Sequence, residues 1–327
     1  METLRRQGRQ EEQRQTLDWT TYLEAISSQR RGATGGRDGV CRDTWDHIPW
    51  NAHENIRAAM EARLNGDEGH TDRITAWTEL DLVGVPRAGK NPHRLEGWRW
   101  VELAPNLQQV YEACVAKLAQ KQVATPGFVH VGFQPGRGTQ DIHAYIIMLL
   151  RRCKMHRKQV VVVQGDIKTA FQEVRAEPMD ACLARRGVPK RLRAAMWTEQ
   201  EEVNQTAHMG AIHTERVQKE RAGRTGGKAM PRWWALMAAE VVEEVRGKWE
   251  KEGKGLWLRG DRWDYADYVD NFYITAGTPQ EARSMLQDLA EAWDRAGMSF
   301  KPSSLEWMGT VTGGEESWLV WTGGEDR

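Results

Sequence analysis

Little in this chain of 327 residues points to an oxidised, zinc-bound or membrane-embedded protein. Cysteine is scarce: Cys41, Cys114, Cys153 and Cys182 lie far apart with no CxxC spacing. That excludes a disulfide framework or a structural zinc site and fits reduced thiols in an intracellular protein. The nine histidines are dispersed, none paired at helical metal-ligand spacing, and His47 beside Asp46 reads as a surface or capping residue. No apolar run approaches the length that spans a bilayer and no signal peptide opens the chain, so a soluble protein is expected. Net charge is zero, so the chain as a whole does not announce a binder of polyanions. Phenylalanine numbers only five against sixteen tryptophans. The indoles are therefore read as core, with a base-stacking surface as the alternative. The length suffices for one large or two ordinary domains, and no internal repeat is apparent.

What is present is a pair of acids on two separated strands. Gln159 to Gly165 contains four consecutive valines, a run that reads as a strand buried on both faces because β-branched side chains suit the pleated surface. Asp166 stands at its exit. A hundred residues later, Tyr265-Ala266-Asp267-Tyr268-Val269-Asp270-Asn271-Phe272-Tyr273-Ile274 holds two aromatic-rich runs around an Asp-Asn step of the kind that makes a tight hairpin. Asp270 would then sit at the tip. Two carboxylates at one sheet edge suffice on the protein side for Mg2+, a hard cation that keeps waters and substrate phosphates as its other ligands. Two such ions can serve phosphoryl transfer. The plain alternative is that Asp166 caps a strand and Asp-Asn is only a turn. A second register also stays open, with Asp267 of Tyr265-Ala266-Asp267-Tyr268 as the acid, on the other strand face; downstream spacing favours Asp270.

Further segments occur in a telling order. Gly132-Phe133-Gln134-Pro135-Gly136-Arg137-Gly138-Thr139 precedes an apolar helix; Asp166-Ile167-Lys168-Thr169-Ala170-Phe171 follows; then come Thr225-Gly226-Gly227-Lys228-Ala229-Met230-Pro231, Val269-Asp270-Asn271, and Gly297-Met298-Ser299-Phe300-Lys301-Pro302-Ser303-Ser304-Leu305-Glu306 with Met308-Gly309. In order and spacing this series resembles the reverse transcriptase domain of non-LTR retrotransposons and group II introns, over roughly residues 36 to 310. Upstream, Val85-Pro86-Arg87 and Trp98-Arg99-Trp100-Val101-Glu102-Leu103 are similar to segments of that family's fingers.

The resemblance implies an α/β (α+β) fold of fingers and palm, with a small antiparallel palm sheet backed by helices. It implies addition of deoxynucleoside triphosphates to a DNA primer 3′ end on an RNA template, with Asp166 and Asp270 holding Mg2+, or Mn2+ in its place. Asn271 would complete the catalytic set, Arg87 and Arg99 would grip the triphosphate, Phe171 would be a steric gate against a ribose 2′ hydroxyl, and Gly226 would belong to the middle nucleotide-binding motif. A nuclear address follows from the resemblance alone. Four departures favour an alternative, a decayed retroelement remnant that keeps the fold with a weak nucleic-acid grip. Asn271 replaces an aspartate, Ser304 stands where a lysine is expected, with Lys301 three residues away, and Thr225 replaces a glutamine. Only eighteen residues follow Gly309, too few for a helical thumb.

The organisation expected is a polar N-terminal segment and linker (1–39), a fingers-like region (40–160), a palm-like catalytic region (161–310) and a C-terminal tail (311–327). Residues 84–158 hold twelve Lys plus Arg against four Asp plus Glu, while 261–327 hold five against thirteen. Basic fingers facing an acidic palm would suit a polymerase cleft. Helical spacing appears at 51–64, around Tyr111-Val115-Leu118, at 179–186 and 190–203 either side of Gly187-Val188-Pro189, after Pro231, and from Pro279 to Ala296. The polar stretch 205–224 reads as an exposed connection. Gly223 to Ala229 is not a P-loop, since alanine follows the lysine where a hydroxyl is needed.

Overall fold

The computed structural model describes all residues except 1–12, 33–35, 37, 71, 73, 125, 128, 135, 172, 201–202, 210–211, 220–222, 224–226 and 311–327. In chain order the main elements are α1 (Trp19–Ser27), α2 (Trp50–Asn65), β1 (Glu79–Pro86), β2 (Trp98–Leu103), α3 (Asn106–Gln122), α4 (Thr139–His156), β3 (Val161–Asp166), α5 (Ala176–Arg185), α6 (Lys190–Thr198), β4 (Asn204–Met209), β5 (Ile212–His213), β6 (Val217–Gln218), α7 (Met230–Lys251), β7 (Leu256–Leu258), β8 (Asp261–Trp263), β9 (Tyr265–Tyr268), β10 (Asn271–Ala276), α8 (Pro279–Arg295) and β11 (Glu306–Gly309). They form two compact units, each drawn from two stretches of chain: Met1–Ala124 with Leu183–Trp233, and Thr125–Cys182 with Trp234–Arg327. The fold is mixed α/β, with helices and largely antiparallel sheets, as expected.

In the first unit, β1 pairs with β2 antiparallel and with β4 parallel, and β5 and β6 both pair with β4. This corrects the reading of 205–224 as a connection. The strand escaped notice because its sequence, Asn-Gln-Thr-Ala-His-Met, has no apolar alternation. It is held by backbone pairing and by polar partners, with Gln205 donating to Glu102 at 2.8 Å and His208 bonded to Asp81 at 3.0 Å. Helix α3 supplies the core with Tyr111, Val115 and Leu118, all buried as their spacing requires. Arg63 and Glu199 make a buried ion pair at 2.8 Å, and the guanidinium lies 5.1 Å from the Trp77 ring.

The second unit is built on a four-stranded antiparallel sheet in the order β11-β3-β10-β9. Successive valines on β3 point to opposite faces, yet Val161, Val162 and Val163 are all buried, so both faces are covered. Burial contributes about 1.5–3 kcal/mol for each such side chain. Leu149 and Cys153 of α4 pack with Val160 and Val162 on one face, and α8 packs against β10 and β3. Helix α8 starts where expected: the Thr278 hydroxyl accepts from the Glu281 N–H at 3.2 Å, Pro279 opens the first turn, and Met285, Leu286, Leu289 and Trp293 are buried. The tryptophan reading holds for Trp197, Trp233, Trp234, Trp249 and Trp293, the largest fully buried side chains; Trp50 and Trp257 are exposed. All four cysteines are free, and among the described residues no helix is long and apolar enough to cross a membrane.

Candidate active site at the edge of the four-stranded sheet

Strand β3 runs straight into the site. Gly165 permits this close packing, because a Cβ there would come within 2.4 Å of the Phe272 ring and 2.8 Å of Leu305. Asp166 ends the strand directly opposite Asn271, the first residue of β10. The connection from β9 to β10 is the pair Val269-Asp270, so the turn falls one residue earlier than the Asp-Asn step implied, and Asn271 belongs to the strand. Asp270 is at the tip. The turn carries strain: Val269, a β-branched residue, has φ 64°, in the left-handed region that such side chains avoid at a cost of about 1–3 kcal/mol. Three contacts hold it. The Ile167 N–H donates to Asp270 O at 2.9 Å, the Trp234 indole N–H donates to Val269 O at 3.0 Å, and Gly132 lies so close that a Cβ would meet Val269 N at 2.4 Å.

The electrostatics are those of two like charges brought together. Burial first, and then the Asp270 carboxylate, push the Asp166 carboxyl up to about 6, with the Lys301 ammonium acting the other way. Asp166 Oδ1 is buried with no hydrogen-bond partner. An orphaned carboxylate oxygen beside a second carboxylate fits a hard divalent cation, which would supply the missing partner and the missing positive charge. The donor set is two carboxylates, with the Asn271 carbonyl on the neighbouring strand position; among the described residues no group of three or more His, Cys, Asp or Glu gathers as a metal cluster.

Ser304 has a role that the sequence did not disclose. Its hydroxyl accepts from the Asp166 N–H at 3.0 Å and donates to Lys301 O at 2.7 Å, while the Lys301 N–H donates to Asp166 O at 2.8 Å. Lys301 and Ser304, at the two ends of the single turn Pro302–Ser304 and its cap, therefore hold the carbonyl and the N–H of Asp166 between them. Lys301 is exposed.

The competing acid, Asp267, is elsewhere: its Oδ2 accepts from His130 Nδ1 at 2.7 Å, with both side chains buried. The other ring nitrogen, His130 Nε2, is buried without a partner. Phe171 is half-buried, 6.0 Å from the Phe133 ring and 5.8 Å, edge-on, from Trp234, which stacks on Trp293 at 5.4 Å. Arg87 and Arg99 lie in the first unit, both exposed, at the β1–β2 hairpin: Arg99 pairs with Val85, and the Arg87 N–H donates to Gly97 O at 2.8 Å. Gly226, with Thr225, falls outside the described residues. Sequence reasoning thus missed Trp234, His130 and the clamp by Ser304, whose partners lie 35, 137 and 138 residues away.

Residues 88–312 match the family described as reverse transcriptase (RNA-dependent DNA polymerase), a stretch that contains every candidate named above except Arg87. No curated protein matches the chain. Among solved structures, apo telomerase from Candida tropicalis truncated from its C-terminal domain is similar with a TM-score of 0.54 at 10% identity, over 72% of this chain and 51% of that one. Telomerase from the same organism in complex with the TWJ fragment of telomeric RNA gives a TM-score of 0.51 at 10% identity, over 72% and 42%. The chain spans about half the length of these telomerase chains, and at this identity the likeness is one of fold. With more than half of its length matched, the chain belongs to the reverse transcriptase family.

Proposed function

We propose that this chain is an RNA-directed DNA polymerase of the retroelement type, extending a DNA primer on an RNA template by two-metal nucleotidyl transfer. The observation that carries the reading is the Asp166–Asp270 pair, with its raised carboxyl and its orphaned buried oxygen. Asp166 and Asp270 would hold Mg2+, or Mn2+ in its place, with the Asn271 carbonyl available beside them. When bound, the ions lower the cost of ionising the primer 3′ hydroxyl and of the charge gathering on the departing pyrophosphate. The protein's part is positioning. The Ser304 clamp fixes the Asp166 backbone, the strained turn sets Asp270 against it, and Phe171 fills the space beside the incoming sugar. Lys301, whose charge already reaches Asp166, is the ammonium available to the leaving group. Arg87 and Arg99 suit the triphosphate because a guanidinium fork bonds two phosphate oxygens at once. Gly226 keeps its proposed place in the middle motif.

Primer extension on an RNA template tests this. With deoxynucleotides and Mg2+ or Mn2+, the protein should extend the primer and Asp166→Ala should not. A folded protein that extends nothing in either metal would contradict the reading and favour the decayed remnant that Asn271 and the loss of a lysine at Ser304 already argue for.

A further inference from the structure

We infer that Trp234 is a positioning residue that ties the acid-bearing turn to the Phe171 ring, so that one indole sets both the metal site and the sugar gate. The inference rests on the polymerase reading above and deepens it. Trp234 enters from the first turns of α7, and its partners are the Val269 carbonyl and the Phe171 and Trp293 rings. Its Nε1–H donates to Val269 O at 3.0 Å, and Val269 is the residue held at φ 64°. A β-branched residue relaxes out of the left-handed region when nothing holds it there. Relaxation at Val269 would turn the next peptide and carry the Asp270 carboxylate away from Asp166.

The same indole is fixed from behind and presses forward. Trp293 of α8 stacks on it at 5.4 Å with the rings 10° from parallel, which leaves it little freedom to tilt. The Phe171 ring also meets it edge-on at 5.8 Å, and Phe133 closes the row at 6.0 Å from Phe171. Phe133 comes from the same loop as Gly132, whose missing side chain makes room for Val269 N. Turn and gate are therefore two ends of one packed unit, and a shift at either is transmitted through Trp234.

Trp234→Phe removes the donor and keeps one aromatic ring in the stack, with a small loss of buried volume, so the rescue variant is what separates the bond from the packing. Val269→Gly supplies the rescue, because glycine adopts positive φ without being held. Mn2+ binding followed by electron paramagnetic resonance on the whole chain gives a readout independent of turnover. The inference predicts that Trp234→Phe melts within a few degrees of the wild type yet binds Mn2+ about tenfold more weakly, the loss expected for one neutral hydrogen bond. It also predicts that Trp234→Phe/Val269→Gly recovers the wild-type affinity, and that Trp234→Phe incorporates ribonucleotides more readily in primer extension. A Trp234→Phe protein that binds Mn2+ as the wild type does, or a double variant that fails to recover, overturns it. Wild-type protein that binds no Mn2+ would instead overturn the polymerase reading and this inference together.

Discussion

The base and the tip of one hairpin treat negative charge in opposite ways. Three acids, Asp264, Asp267 and Asp270, follow one another at intervals of three residues. At the base, Asp264 is all but fully buried and is gripped by Arg246 through three contacts of 2.9–3.1 Å and by Arg262 at 2.9 Å. Midway, Asp267 is buried against His130. At the tip, Asp270 faces not a cation but a second carboxylate, Asp166. Burying a charge without a partner is costly, and under the proposed function the place where the fold sets two carboxylates together, rather than a carboxylate and a bonded cation, is the one that would take a ligand. Below the tip the acids serve architecture; at the tip, in the function proposed above, they would serve chemistry.

The contrast can be broken at several points. The largest effect belongs to the tip: Asp270→Ala should lower primer extension by about a thousandfold or more, since several kcal/mol of metal-borne charge stabilisation is lost, with melting temperature unchanged or raised because a repulsion has gone. At the middle the signs reverse. His130→Ala strands a buried carboxylate and should cost about 3 kcal/mol in urea denaturation. The pH dependence of stability separates the regions further. A carboxyl held at about 6, above its ordinary value of 3.8, favours the folded state while protonated. Metal-free protein should therefore lose that contribution as pH rises from about 4 through about 6, and Asp166→Asn should flatten that part of the profile. Arg99→Ala should raise the KM for deoxynucleotides by roughly tenfold, the worth of a charge-assisted hydrogen bond, and leave stability alone. The smallest change is expected of Ser304→Ala, which removes one acceptor from the Asp166 N–H and should cost about 1 kcal/mol by the same denaturation measurement.

How much of this was legible depended on whether burial had written a pattern. The valine run of β3, the amphipathic α8, and the aromatic runs of β9 and β10 all contribute to a core, and each was readable from its pattern. The strand β4 was not readable, because its polar side chains bond to neighbours such as Asp81 and Glu102 that lie far away in sequence. In the site, the two acids could be read from their strand contexts and from the family resemblance. Their surroundings could not. A serine in place of a lysine looks like a loss until its hydroxyl is seen clamping Asp166, and Trp234 looks like core until its N–H is seen on Val269. The one-residue shift of the turn escaped because Asn is a good turn residue, whereas a valine at positive φ is one that local propensity argues against and only tertiary contacts hold.

The account stands or falls on the tip, and Mn2+ binding measured side by side in Asp270→Asn and Asp267→Asn tests it most directly. The two acids lie three residues apart on one hairpin, and asparagine keeps the shape and the carbonyl acceptor of each. Binding abolished by Asp270→Asn and retained by Asp267→Asn is the predicted result; binding that survives Asp270→Asn, or that depends equally on Asp267, would contradict it.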